Sequence, residues 1–135
     1  MVMAKYLADT NVLIDHLRHK EGPATSFLLE YKPTISATTV AELIEGSKDG
    51  RELKNVERLC GSLMVLPIDL TTCKTAISLM YKFFLSHNLK FMDALIAATT
   101  LEHRLTLVTA NVKHFSFIKG LKLIDWKKMT VDKVL

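Results

Sequence analysis

Residues 5–15, "KYLADTNVLID", decide how this chain is read. Tyr6, Leu7 and Ala8 have the apolar, extended character of a short buried strand, and the strand runs straight into Asp9, Thr10 and Asn11. Beyond them Val12, Leu13 and Leu17 recur at the spacing of one helix face. The stretch therefore reads strand, turn, helix, with a carboxylate at the turn.

A carboxylate there has two explanations. Asp9 can cap a helix beginning near Thr10, since Asp is a preferred N-cap residue and contributes about 1 kcal/mol in that role. It can also face a ligand, because open parallel sheets bind ligands beyond the carboxyl ends of their strands. The rest of the chain has to weigh the two.

Outward from that stretch, strands and helices alternate. Gly22-Pro23 breaks the first helix, "ATSFLLEY" (24–31) forms a second, and Ile35 sits in a short strand after Pro33. "ATTVAELIEGSK" (37–48) follows as a helix with Val40, Leu43 and Ile44 inward and Gly46 near its end. "RELKNVERLCGS" (51–62) is amphipathic, with Leu53, Val56, Leu59 and Cys60 on one side, and "LMVLPI" (63–68) is a third strand closed by Pro67. From Asp69 to His87 a long helix carries Ala76, Leu79, Met80 and Phe83 as its apolar stripe. "FMDALIAATTLEHR" (91–104) is apolar around its circumference and therefore a buried helix, "LTLVTA" (105–110) is a fourth strand, and "LKLIDW" (121–126) a fifth at an edge.

Parallel neighbours need a crossover that a helix can supply, so this alternation predicts an α/β fold: a three-layer α/β/α sandwich around a central parallel sheet of about five strands. With 135 residues, no repeat and no linker-like run, the span 1–135 reads as a single domain able to bury about two thirds of its unfolded surface. Cys60 and Cys73 form no C-x-x-C pair and are expected to be reduced thiols, which leaves no sign of a disulfide framework or structural zinc. The opening "MVMAKYLAD" lacks leader features and no segment approaches about 18 uninterrupted apolar residues, so the expectation is a cytoplasmic protein without membrane contact. The net charge of +4, with clusters at "KDGRELK" and "KGLKLIDWKK", is compatible with a nucleic-acid partner and equally with solvated faces.

In such a sheet, Asp9, Glu42, Asp93 and the Thr109/Asn111 pair come from separate segments to one carboxyl edge. Each has a structural alternative. Thr39-x-x-Glu42 matches a capping box, although Ser36 is an equally good start for the same helix and would leave Glu42 free. Asp93 in a first helical turn is favoured by the helix dipole. Gathered together, however, the acids repel, and the sequence places no Lys or Arg beside Asp9 or Glu42 and only Lys90 near Asp93. A divalent cation would remove that repulsion, and Mg²⁺ or Mn²⁺ suits hard carboxylate oxygens.

"LADTNVLID" (7–15), "ISATTVAELIEG" (35–46), "DALIAAT" (93–99) and "LVTANVKHF" (107–115) stand in the order and spacing of the motifs of PIN domains, and the chain resembles in particular the small VapC-type toxins of toxin–antitoxin pairs. The resemblance extends to the closing "GLKLIDW" (120–126). It implies that Asp9, Glu42 and Asp93 are metal-binding acids, that Thr109 and Asn111 complete the catalytic set, and that Asn11 helps position Asp9. It implies a Mg²⁺- or Mn²⁺-dependent endoribonuclease in which an activated water attacks an RNA phosphate. It further implies a VapB-type antitoxin partner, whose C-terminal segment would lie in an apolar groove, and a homodimer. Leu13, Leu17, Phe27 and Leu28 are candidates for that groove, with core packing an equal explanation.

One position departs from the pattern. His114 stands where these toxins usually carry an acid, which removes a negative charge and makes the histidine a neutral ligand, a proton donor or a bystander. It favours the alternative function, a catalytically weakened PIN domain serving as a binding module in a DNA-bound regulatory complex. Lys48, Arg51 and Lys113 are candidates for RNA contact. His16 and His19 read as a solvated helix end rather than a metal pair, and Tyr81, Phe83 and Phe84 as core or dimer contacts rather than a stacking platform. An aspartate-nucleophile phosphatase would want a second Asp where Asn11 stands.

Overall fold

The computed structural model describes residues 5–128; residues 1–4, read above for leader features, and 129–135, the end of the single-domain span, lie outside that description. Strand β1 (Tyr6–Ala8) pairs in parallel with β4 (Thr106–Thr109), and β4 with β5 (Lys122–Asp125). A second parallel ladder joins β2 (Ile35–Ser36) to β3 (Val65–Leu66). The two ladders meet at a parallel bridge between Leu7 and Thr34, where Ala8 N donates to Thr34 O and Thr34 N to Tyr6 O, each at 2.9 Å. The five strands thus lie in the order β3-β2-β1-β4-β5, and β5 is at an edge as expected.

Among the described residues the sheet is covered by α1 (Thr10–Arg18), α2 (Pro23–Tyr31), α3 (Ala37–Glu45), α4 (Gly50–Gly61), α5 (Leu70–His87) and α6 (Phe91–Glu102). Local chemistry sets their ends. Pro23 opens α2, where a missing N–H costs nothing, and Asp49 and Asp69 cap α4 and α5 by accepting from Glu52 N and Thr72 N at 2.8 Å. Asn88 closes α5 in the left-handed region, a conformation asparagine tolerates.

Because side chains alternate across a strand, Leu7 and Leu107 point into one core and Ala8 and Val108 into the other. The first core lies against α5 and α6, with Leu95, Ile96 and Phe115; the second lies against α1 to α4, with Val12, Phe27, Ile35 and Trp126. This is the three-layer arrangement read from the sequence. Helix α6 is its most enclosed part, buried continuously from Ala94 to Thr100, and its Thr99 and Thr100 hydroxyls are satisfied by the carbonyls of Leu95 and Ile96 at 2.8 Å.

Several sequence expectations are corrected. Ile44 points outward at 48% exposure, because α3 presents Thr38, Thr39 and Leu43 to the core and the next residue is rotated by about 100°. Leu53 is likewise exposed, while Val56 and Cys60 carry the inner face of α4. Of the core-or-dimer residues, Tyr81 and Phe84 are exposed in the single chain, which removes the core alternative for those two; Ala76 and Leu79 are buried as expected, with Met80 and Phe83 packed beside them. Leu13, Phe27 and Leu28 are core residues and Leu17 packs against them, so these four do not line an open groove. Cys60 and Cys73 are free thiols, and among the described residues no helix is long and apolar enough to cross a membrane.

Candidate metal centre at the carboxyl edge of the sheet

The parallel register of β1 and β4 sets Ala8 against Val108, so Asp9 and Thr109 emerge side by side at the same edge. Asp9 is buried and does two jobs. Its Oδ1 accepts from Thr10 N at 2.8 Å, which caps α1. Its Oδ2 accepts from the Thr109 hydroxyl at 2.8 Å and from Asn11 Nδ2 at 3.1 Å. Thr109 Oγ1 in turn accepts from Asn111 N at 2.9 Å, and Asn11 Oδ1 accepts from Ala110 N at 3.3 Å. The side-chain amide that braces Asp9 is therefore that of Asn11, whereas Asn111 contributes its backbone and leaves its own side chain exposed.

Ser36, not Thr39, caps α3, accepting from Thr38 N at 3.0 Å. Glu42 is consequently free of the capping box and reaches across to α1, where the Thr10 hydroxyl donates to its Oε1 at 2.5 Å. With the Thr10 proton so committed, the buried Thr39 hydroxyl, 2.9 Å away, donates to Thr10 Oγ1. Sequence reasoning missed Thr10 and Thr39. The available signal was their position: Thr10 follows Asp9 directly, and Thr39 lies three residues before Glu42 on the same helix face.

Asp93 sits in the first turn of α6, half-buried, and among the described residues its carboxylate has no hydrogen-bond partner. It does not cap the helix. Burial raises its pKa, opposed by the nearby His114 and then Lys90. Burial also raises the pKa of Asp9, against the hydrogen bonds from Thr109 and Thr10, and the charges of Asp93 and Glu42 push it further up. Asp93 and Glu42 are thus each within electrostatic reach of Asp9, and the groups that hydrogen-bond to Asp9 and Glu42 are all neutral.

The donor set is three carboxylates with free oxygen lone pairs and no bound cation side chain, one of them half-buried and unpartnered. That chemistry fits a hard divalent cation. Among the described residues no three acidic, His or Cys side chains close tightly enough to enclose an ion alone.

The other candidates are separated by the structure. His114 is exposed in a 3-10 turn, Val112–His114, and acts on Asp93 through space. Lys113 is exposed in the same turn, and Lys48 and Arg51 are exposed around the start of α4; no hydrogen bond joins any of them to the acids. His16 is tied to α2, its Nδ1 hydrogen-bonded to Thr25 Oγ1 at 2.6 Å, with His19 O 3.3 Å from the same hydroxyl.

The PIN domain family model matches residues 6–119, and the chain belongs to that family. Its fold is similar to that of DNA-bound VapBC from Salmonella typhimurium, with a TM-score of 0.82 at 27% identity over 92% of this chain and 99% of that one. A toxin–antitoxin complex from Klebsiella pneumoniae matches at 27% identity and TM-score 0.75, covering 90% of this chain and 98% of that chain. VapBC-1 from nontypeable Haemophilus influenzae matches at 25% identity and TM-score 0.75 with the same coverage. No curated protein sequence matches the chain.

Proposed function

We propose that this protein is a metal-dependent endoribonuclease toxin of the VapC type, restrained by a cognate VapB-type antitoxin. The observation that carries the reading is that Asp9, a buried carboxylate hydrogen-bonded by neutral groups alone, feels the charges of both Glu42 and Asp93, which come from separate segments. The similarity to toxin–antitoxin complexes supports it.

Asp9, Glu42 and Asp93 would hold Mg²⁺ or Mn²⁺. Bound there, the ion would acidify a water and neutralise charge on the phosphate. The protein's own groups have distinct tasks. The Thr109 hydroxyl has given its proton to Asp9, so it fixes that carboxylate rather than delivering a proton to substrate. Thr10 fixes one oxygen of Glu42 and leaves Oε2 free for a ligand. The exposed Asn111 side chain is available to orient a water or a phosphate oxygen. His114, beside Asp93, would give a proton to the departing oxygen. Lys113, with Lys48 and Arg51, would neutralise RNA phosphates.

The remaining elements of the reading follow. The exposed apolar face of α5, Ile77, Tyr81, Phe84 and Leu85, supports a homodimer, and the exposed Leu29, Ile44 and Leu53 support an apolar antitoxin contact on the helical layer. The span 1–135 would act as one cytoplasmic domain.

The absence of an acid at the position that His114 occupies favours a second reading, a weakened PIN domain acting as a binding module, and one similar structure is a DNA-bound complex. Calorimetric titration with Mn²⁺ separates the two. A saturable site weakened by Glu42→Gln and by Asp93→Asn supports the nuclease; a folded protein that takes up no Mn²⁺ supports the binding module.

A further inference from the structure

Two chain segments run from the acidic edge and meet a second time. One is the turn from α5 into α6, which carries His87, Lys90 and Asp93; the other follows β4 and carries Lys113, His114 and Phe117. At one end Asp93 lies within electrostatic reach of His114. At the other, the His87 imidazole lies flat on the Phe117 ring, centroids 4.1 Å apart and planes 12° apart. Phe83 meets both rings edge-on, at 6.0 Å and 5.1 Å, and Phe83 and Phe117 are packed on the hydrophobic core. Ser86 Oγ, 2.8 Å from His87 Nδ1, fixes the rotation of the imidazole.

His87 nevertheless remains exposed, and among the described residues no other ring covers its second face. A flat ring held at fixed orientation, open on one side, is what base stacking on single-stranded nucleic acid requires. Lys90 follows His87 by three residues and Lys119 follows Phe117 by two, Lys113 lies in the turn that precedes Phe117, and all three are exposed, cations on the same two segments that a phosphate backbone would need. We propose that His87, braced by Phe117, is a stacking subsite for an unpaired nucleobase of RNA beside the phosphate held at the acidic edge. The assignment rests on the ribonuclease reading for its choice of RNA. The same stack ties the α5–α6 turn to the loop after β4, and that structural role is separable by substitution.

The test is anisotropy of a short fluorescein-labelled oligoadenylate bound to the full chain in EDTA, where no cleavage interferes. His87→Ala should weaken binding roughly five- to a hundredfold, the range for loss of one base–aromatic contact. His87→Phe, which keeps the flat face and loses the imidazole, should restore it, and Phe117→Leu should weaken it while leaving Mn²⁺ affinity unchanged. An abasic strand of the same length should bind wild type and His87→Ala equally. Wild-type affinity in His87→Ala overturns the subsite, as does equal weakening of the abasic strand, or a loss of sedimenting mass with RNA affinity intact. Failure of the nuclease reading looks different: oligoadenylate binding that depends on His87, with no cleavage of any RNA in Mn²⁺, leaves the subsite standing. Cleavage abolished by Asp93→Asn, with His87→Ala binding normally, leaves the nuclease standing and removes the subsite.

Discussion

The hydroxyl of Thr10 donates to Oε1 of Glu42 at 2.5 Å, joining the first turn of α1 to the middle of α3. It is a charge-assisted bond, and Thr39 completes a chain by donating to Thr10. Thr10→Val removes the donor to Glu42 and the acceptor of Thr39 together. A cost of about 1–2 kcal/mol in urea unfolding is expected, the lower part of the range for bonds to charged groups because Glu42 is half-buried. Mn²⁺ affinity should fall as well, and Thr10→Ser should recover both. Unchanged Mn²⁺ affinity in Thr10→Val would show that the bond does not orient Glu42 as a ligand.

Thr109 is fully buried, donates to Asp9 and accepts from Asn111 N. Thr109→Val keeps its shape, removes one of the two bonds to Asp9 Oδ2 and leaves Asn111 N without its acceptor, so the urea midpoint should drop by the equivalent of about 1–3 kcal/mol. Thr109→Ser, which keeps the hydroxyl, should lose much less. Equal losses would assign the effect to the methyl group and its packing.

Asp93 gives a pH signature. Burial raises its folded-state pKa above the ordinary aspartate value of about 4. Above the raised value the group is ionised in both states and the folded protein carries the cost of a half-buried charge. Below the unfolded value it is neutral in both and the cost is gone, so its contribution to stability improves as pH falls through that window. Metal-free Asp93→Asn should therefore melt higher than wild type at pH 7, with the difference shrinking toward pH 4. A gap in melting temperature that stays constant across that range would contradict the assignment.

Thr38 is buried in the first turn of α3 and its hydroxyl has no partner among the described residues. Replacement by the isosteric valine removes an unsatisfied polar atom without opening a cavity. Thr38→Val should stabilise the protein by about 1 kcal/mol, read from the urea midpoint.

The sequence carried most of the architecture because its periodicities are physical. The strand–turn–helix at 5–15, the alternating Leu7/Ala8 and Leu107/Val108 that divide two cores, and the all-round apolar α6 are each visible as spacing. Ile44 misled because an apolar residue beside Leu43 looks inward until neighbouring elements fix the rotation of α3. Strands β2 and β3, two residues each, were legible only through their flanking Pro33 and Pro67. Asp9, Asp93 and Thr109 were legible as polar residues at element ends, and Glu42 as an acid inside α3 once Ser36 rather than Thr39 is taken as its cap. Thr10 and Thr39 stand beside Asp9 and Glu42, but the bond that joins them crosses about 30 residues of sequence, and the His87–Phe117 stack likewise depends on a partner distant in sequence.

The most direct test of the central claim is cleavage of a panel of structured RNAs by purified, antitoxin-free protein in Mn²⁺, with EDTA and Asp93→Asn as controls. The expected result is cleavage that both controls abolish. RNA cutting that persists in EDTA or in folded Asp93→Asn would contradict it, as would intact RNA throughout with protein that binds Mn²⁺.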